Sequence, residues 1–267
     1  MKIQKNKLSK IPKVIQPIDS LNDLAFVPEK PLPIHGAIYF VGSPGSGKTS
    51  TMISMLTSHP TKKNKIKPLY YYKYFDNIEI ISGSLSTLPK TFINKLPIEQ
   101  QHNKFDDNEL VDIINEMKES DNGNNLLVLD DVIRDITRSK NLSKVFLNRR
   151  HITHNSEKEG QSKLSIWIVS QKYSLLPMEF RNALSCCIIF RSCNNNEIKK
   201  IKEEIMFDLS PIQQDEVLYN AWKNPYSFLY VVINAPTKDK YYIKFDKIIF
   251  DNDDDVEDNE IYDEIQK

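Results

Sequence analysis

The sequence predicts an α/β fold: a mostly parallel sheet flanked by helices, with a C-terminal antiparallel hairpin at the sheet edge. Three observations point there. Short apolar, β-rich runs recur at 37–41, 69–75, 126–129, 165–170, 186–190, 228–233 and 241–245. Stripes of apolar residues at helical spacing separate several of them. The last two runs are joined by Pro236-Thr237-Lys238-Asp239-Lys240, too short for a crossover helix, so they pair as a hairpin.

In chain order, Ala37-Ile38-Tyr39-Phe40-Val41 is the first strand and leads straight into VGSPGSGKTS at 41–50. Met52, Met55 and Leu56 follow at helical spacing. The aromatic run LYYYKYF at 69–75 reads as the second strand. Leu110, Ile113, Ile114 and Met117 form one helix face, and LLVL at 126–129 is the next strand. SIWIVS at 165–170 and CCIIF at 186–190 are two more. Ile198, Ile201 and Ile205 make a second helical stripe. Ser210-Pro211-Ile212-Gln213 reads as a helix start, with Ser as N-cap, Pro in the first turn and Gln213 closing a capping box.

The chain has seven glycines, and three of them, Gly42, Gly45 and Gly47, stand in the turn after the first strand. Residues 42–49 fit G-x-x-x-x-G-K-[ST], the P-loop. In that loop successive backbone N–H groups wrap a phosphate, and side chains would block the approach. The following helix adds the positive end of its dipole. Gly42, Ser43, Pro44, Gly45, Ser46, Gly47, Lys48, Thr49 and Ser50 are therefore the expected nucleotide-binding residues. Lys48 would reach the β- and γ-phosphates, and the Thr49 hydroxyl would hold Mg²⁺.

Leu126-Leu127-Val128-Leu129-Asp130-Asp131 is four aliphatic residues ending in two acids, which reads as a Walker B strand. Asp130 would hold the metal and Asp131 would orient or deprotonate the attacking water. The run 165–170 ends in Ser170-Gln171. On a strand between the other two, Gln171 can both donate to and accept from the γ-phosphate or its water. All six arginines, Arg134, Arg138, Arg149, Arg150, Arg181 and Arg191, fall within 58 residues. Arg supplies a planar fork that clamps phosphate, so this segment is expected to face a nucleotide or a DNA backbone.

Net charge is zero, but it is unevenly spread. Residues 1–13 carry five Lys and no acid, and residues 251–267 carry nine acids and one Lys. The rest has a net charge of +3, too small for a bulk basic DNA-binding module. The expected organisation is a basic arm and lead-in at 1–30, a P-loop domain at 31–250 and a solvated acidic tail at 251–267. Cys186, Cys187 and Cys193 lack metal-ligand spacing, and the first two lie in an apolar run, as reduced thiols would. No apolar run approaches 18 residues and no signal-peptide centre is visible, so an intracellular protein without a membrane span is expected. The 76–107 stretch reads equally as a DNA-facing insertion or a plain surface excursion.

Asn103-Lys104-Phe105-Asp106 matches the guanine-reading N-K-x-D, but it precedes the Walker B run and no strand delivers it, so a GTPase is excluded. Another P-loop phosphotransferase or helicase, or an ATP-binding scaffold with little hydrolysis, stays open; a scaffold would need neither Asp131 nor Gln171.

Taken together, GSPGSGKTS at 42–50, LLVLDDVIRD at 126–135, NRRHITH at 148–154, IWIVSQKYSLLPMEFRNA at 166–183 and CIIFRSCNNNE at 187–197 resemble the DNA-packaging ATPases of large eukaryotic DNA viruses. Those poxvirus-type proteins belong to the FtsK/HerA group of P-loop ATPases. The resemblance implies a RecA-like ASCE core with an extra strand between those of Walker A and Walker B. It implies ATP and Mg²⁺ as ligands, and ATP-driven translocation of double-stranded DNA, without sequence preference, into a preformed capsid. It further implies a pentameric or hexameric ring, capsid or packaging-vertex partners, and a place in the viral factory of an infected cell and in the virion. Carried over, Lys48, Thr49, Asp130, Asp131 and Gln171 keep the roles given above. Arg150 is the first choice for a finger reaching a neighbour's ATP, and Arg181 the second. Asp131 stands where many ATPases of this class carry Glu.

Overall fold

The computed structural model describes residues 2–4, 32–33, 35–57, 71–119, 123–149, 152–153 and 163–250. Its elements in chain order are β1 (Lys2–Gln4), β2 (Ala37–Val41), α1 (Lys48–Thr57), β3 (Asn77–Ser82), α2 (Lys90–Ile93), β4 (Gln101–His102), α3 (Asp107–Glu119), β5 (Asn124–Asp130), α4 (Ile133–Ile136) and α5 (Lys140–Leu147). Then come β6 (Lys163–Ser170), α6 (Met178–Asn182), β7 (Cys186–Phe190), α7 (Asn195–Glu204), α8 (Pro211–Trp222), β8 (Phe228–Val232), α9 (Thr237–Lys240), β9 (Tyr241–Ile243) and β10 (Asp246–Ile249).

Among the described residues the strands form one sheet in the order β1-β10-β9-β8-β7-β2-β6-β5-β3-β4. The six strands from β7 to β4 run parallel; β8, β9, β10 and β1 pair antiparallel. β6 lies between β2 and β5, so an extra strand separates the P-loop strand from the Asp-Asp strand, as expected. The β8–β9 hairpin also forms, across a single helical turn, and β10 and β1 extend that side of the sheet beyond it. Lys2–Gln4, expected within a solvated arm, is that outermost strand. The remainder of the arm and the acidic tail lie outside the described residues.

Both faces of the sheet are apolar because helices cover both. Along β2, Ile38 and Phe40 point into one core with Met52, Ile53 and Met55 of α1. Tyr39 and Val41 point into the other, with α3, α5, α7 and α8 supplying Leu110, Phe146, Ile201 and Val217. The predicted stripes on α3 and α7 are the faces these helices bury.

One strand is elsewhere than expected. Residues 71–75 form a turn, and β3 is Asn77–Ser82. The aromatic run is a plug: Tyr71 and Phe75 lie against the fully buried Trp167, with ring centroids 5.1 and 5.9 Å away. Lys73 has φ 55°, which a strand does not tolerate. The correction also splits the 76–107 stretch, since its first residues are an interior strand beside β5.

Candidate functional site

Register brings the site together. Val41 pairs with Ser170 and Ile189, Asp130 with Val169, and Ser82 with Asp130. The carboxyl ends of β3, β5, β6, β2 and β7 are therefore level, which is where ligands sit in open α/β sheets. Backbone bonds between the tips hold this edge: Gly42 N–H to Ser170 O at 3.3 Å, Asp131 N–H to Val169 O at 3.3 Å, and Gly83 N–H to Asp130 O at 3.2 Å.

The loop between β2 and α1 has the backbone its sequence requires. Gly42, Gly45 and Gly47 have φ of 155°, 72° and 101°. A Cβ at Gly42 would lie 2.5 Å from the Phe190 Cβ, so packing excludes a side chain as well. Ser46 Oγ is buried without a partner among the described residues, and Lys48 Nζ donates to Gly42 O at 2.8 Å and Ser43 O at 2.9 Å. An orphaned hydroxyl and an ammonium folded back onto loop carbonyls both fit a phosphate cradle. Burial lowers the Lys48 pKa, while the charges of Asp130 and Asp131 oppose that shift.

Asp130 is buried, and burial raises its carboxyl pKa against the hydrogen bond from Ser82 Oγ, 3.0 Å from Oδ2. The remaining lone pairs suit a cation, and Thr49 at the start of α1 supplies the second oxygen expected for Mg²⁺. Asp131 is exposed, with φ 57°, a conformation that swings it out of the strand direction at the tip of β5. Gln171 Nε2 lies 3.5 Å from Asp131 Oδ1 and is also exposed. Its loop is held from below, where the hydroxyl of the buried Tyr39 donates to Lys172 O at 2.7 Å. The two polar side chains thus stand together over the edge, able to position one water between them.

A cleft of about 450 Å³ opens beside the loop, lined by Ser43, Pro44, Gln171, Cys193, Asn195 and Glu197 among others. Glu197, buried in the first turn of α7, accepts from Ser174 N and Oγ and so ties α7 to the segment after β6. Pro44 and Ser50 of the loop motif are exposed.

The arginines divide. Arg134, Arg138 and Arg191 are exposed. Arg149 is buried, with Nη1 donating to Phe146 O at 3.2 Å. Arg150 lies outside the described residues. Arg181 is corrected as a finger: it is buried, its Nε and Nη2 donate to Glu204 at 2.7 and 2.9 Å, and it also donates to Leu176 O. That fork clamps α6 to α7 and presents nothing to a neighbour. The Asn103–Asp106 decoy is explained as well, since Asp106 Oδ1 accepts from Asn108 N at 2.9 Å and Glu109 N at 3.2 Å at the start of α3.

Sequence reading missed Ser82, because its strand had been placed at 69–75. The alternation in Asn77-Ile78-Glu79-Ile80 was the available signal. It also missed Glu197, for which no local pattern exists.

No protein-family model matches the chain, and no curated protein sequence matches it. Solved structures do. The genome packaging NTPase B204 from Sulfolobus turreted icosahedral virus 2, in complex with AMP, superposes with a TM-score of 0.54 at 15% identity, covering 82% of this chain and all of that one. Its complex with ATP-gammaS gives 0.52 at 16% identity, over 82% of this chain and 100% of that chain. B204, the DNA-packaging ATPase from Sulfolobus Turreted Icosahedral Virus, gives 0.52 at 16% over 80% of this chain and 98% of that one. At such identity the likeness is one of fold: a mostly parallel sheet with flanking helices and C-terminal antiparallel strands.

Proposed function

We propose that this chain is an ATP-hydrolysing motor that moves double-stranded DNA into a viral capsid. The observation that carries the enzymatic part is the alignment of one sheet edge, where the P-loop, Asp130, Asp131 and Gln171 stand on adjoining strand ends. The loop and Lys48 bind and orient the phosphates of ATP. Mg²⁺, held by Thr49 and Asp130, would neutralise charge on the phosphate oxygens. Asp131 accepts a proton from the attacking water, and Gln171 fixes that water relative to the γ-phosphate.

The packaging part draws on the fold shared with B204, named as a genome packaging NTPase, together with the sequence resemblance to the eukaryotic viral branch. On this reading the chain works as a pentameric or hexameric ring around DNA, docked on a capsid or packaging-vertex protein, inside the infected cell. Among the described residues no helix is long and apolar enough to cross a membrane.

The test is steady-state ATP hydrolysis with and without long double-stranded DNA of random sequence, at two salt concentrations. Stimulation independent of sequence and weakened by salt is expected. Robust hydrolysis indifferent to DNA would remove the translocase reading. Nucleotide binding without turnover under any condition would favour the scaffold.

A further inference from the structure

The nucleotide reading assigns contacts to the phosphates but none to the base. We infer that Tyr226 is the platform on which the base of the nucleotide stacks. This inference rests on the nucleotide-binding reading of the P-loop.

Topology places Tyr226 where a nucleoside must leave the phosphate cradle. β8 runs antiparallel to β7 with Phe228 opposite Phe190, so the segment between α8 and β8 arrives at the same sheet edge as the P-loop. In the sheet, β7 and β8 lie on one side of β2, whereas β6 and β5 lie on the other. The groups for the terminal phosphate, Asp130, Asp131 and Gln171, occupy that second side. The nucleoside end of the ligand is left with the first side, and Tyr226 stands there.

The contact with the loop is direct. The Tyr226 Cδ1 lies 3.2 Å, and its Cβ 3.7 Å, from where a Cβ on Gly47 would be; Phe190 Cε1 is 3.7 Å from the same point. Gly47 immediately precedes Lys48, so the ring stands at the start of α1, against the cradle itself.

Two further features fit this role. Tyr226 is 69% exposed, so its ring contributes little to the core. It also has φ 58°, a left-handed conformation that is an outlier for a bulky side chain and recurs at ligand clamps. The turn that imposes it is closed by Ser227 N–H donating to Asn224 O at 3.2 Å, just before β8 begins. A large, wet aromatic ring held on a disfavoured backbone against a phosphate loop is what a stacking platform requires. Because a ring reads the face of a base, the platform favours the larger purines over pyrimidines.

The experiment measures dissociation constants of the full chain, with Mg²⁺, for ATP, CTP and inorganic tripolyphosphate. Tyr226→Ala is expected to weaken ATP roughly five- to hundredfold while leaving tripolyphosphate within about twofold, since one stacked ring is lost and no phosphate contact is. Tyr226→Phe, which keeps the ring, should restore the lost ATP affinity, and wild-type protein should bind ATP more tightly than CTP. Unchanged ATP affinity in Tyr226→Ala, or equal losses for ATP and tripolyphosphate, overturns the inference and leaves the P-loop reading intact. Wild-type protein that binds neither ligand overturns both.

Discussion

Asp130 and Asp131 are neighbours with opposite surroundings, and that contrast supports the different roles proposed for them. Asp130 is buried and takes a hydrogen bond from Ser82, while Asp131 is exposed and meets Gln171. Asp131→Asn is expected to bind ATP normally and lose roughly 100- to 10,000-fold in kcat, the range for removing a general base. Lys48→Ala should instead weaken ATP binding itself, by roughly 10- to 100-fold, because it removes charge-assisted bonds to phosphate. Equal losses of binding in both variants would refute this division of labour. Ser82 orients Asp130 from β3, so if Asp130 holds Mg²⁺ as proposed, Ser82→Ala should raise the Mg²⁺ concentration for half-maximal hydrolysis roughly tenfold, the effect of losing a supporting hydrogen bond behind a metal ligand. A titration of activity against Mg²⁺ checks it. Arg181 shows the opposite lesson: its place in a motif suggested chemistry, yet its guanidinium is committed to Glu204. Arg181→Ala removes two charge-assisted bonds from that carboxylate and leaves it the Tyr173 hydroxyl at 3.0 Å and Lys200 at 3.9 Å. Glu204 is 29% exposed, so water recovers part of the loss, leaving about 2 kcal/mol or a melting point lower by roughly 4–8 °C.

At the level of elements, local pattern was readable where short-range physics decides. The capping box of α8 forms as its sequence implies, with Ser210 Oγ accepting from Gln213 N and Gln213 Oε1 accepting from Ser210 N. The P-loop was readable because its glycines and Lys48 are contiguous. β3 was not, because aromatic residues favour both strands and cores, and only the position of Trp167 shows which use the 71–75 run has. β3 and β4 also carry a cluster without sequence signature: His102 Nε2 lies 2.9 Å from Glu79, and Nδ1 2.8 Å from Glu109 of α3. Burial works against the imidazolium, but hydrogen bonds and charge from the two carboxylates outweigh it, so the His102 pKa is raised above 6.5. A folded pKa above the unfolded one means the stabilisation is complete below about pH 6.5 and is lost as pH rises through the folded value. Burial also raises Glu79, which shifts stability in the same direction. His102→Gln should flatten the decline in urea midpoint on going from pH 6 upward; an unchanged slope would show that the cluster does not set it.

For the whole molecule, the ring is the claim with most at stake. The exposed Arg134, Arg138 and Arg191 are compatible with the proposed ring, in which a neighbouring copy completes the site. Doping wild-type protein with Arg150→Ala subunits is expected to reduce ATPase activity by more than their fraction, because in the proposed ring each altered subunit would silence the site next door. Loss strictly in proportion would eliminate Arg150 as a finger in trans.

By itself the sequence determined the order of most strands and helices, the phosphate loop, and the paired acids and the glutamine at their strand ends. These follow from alternation, helical spacing and glycine geometry, which act over a few residues. Tertiary structure alone decided that Ser82 meets Asp130 across 48 residues, that Arg181 turns inward, that the aromatic run packs instead of pairing, and that Tyr226 stands against Gly47. Each of these depends on which strands become neighbours and in what register. That is settled by long-range pairing across the sheet, which leaves no local trace in the chain.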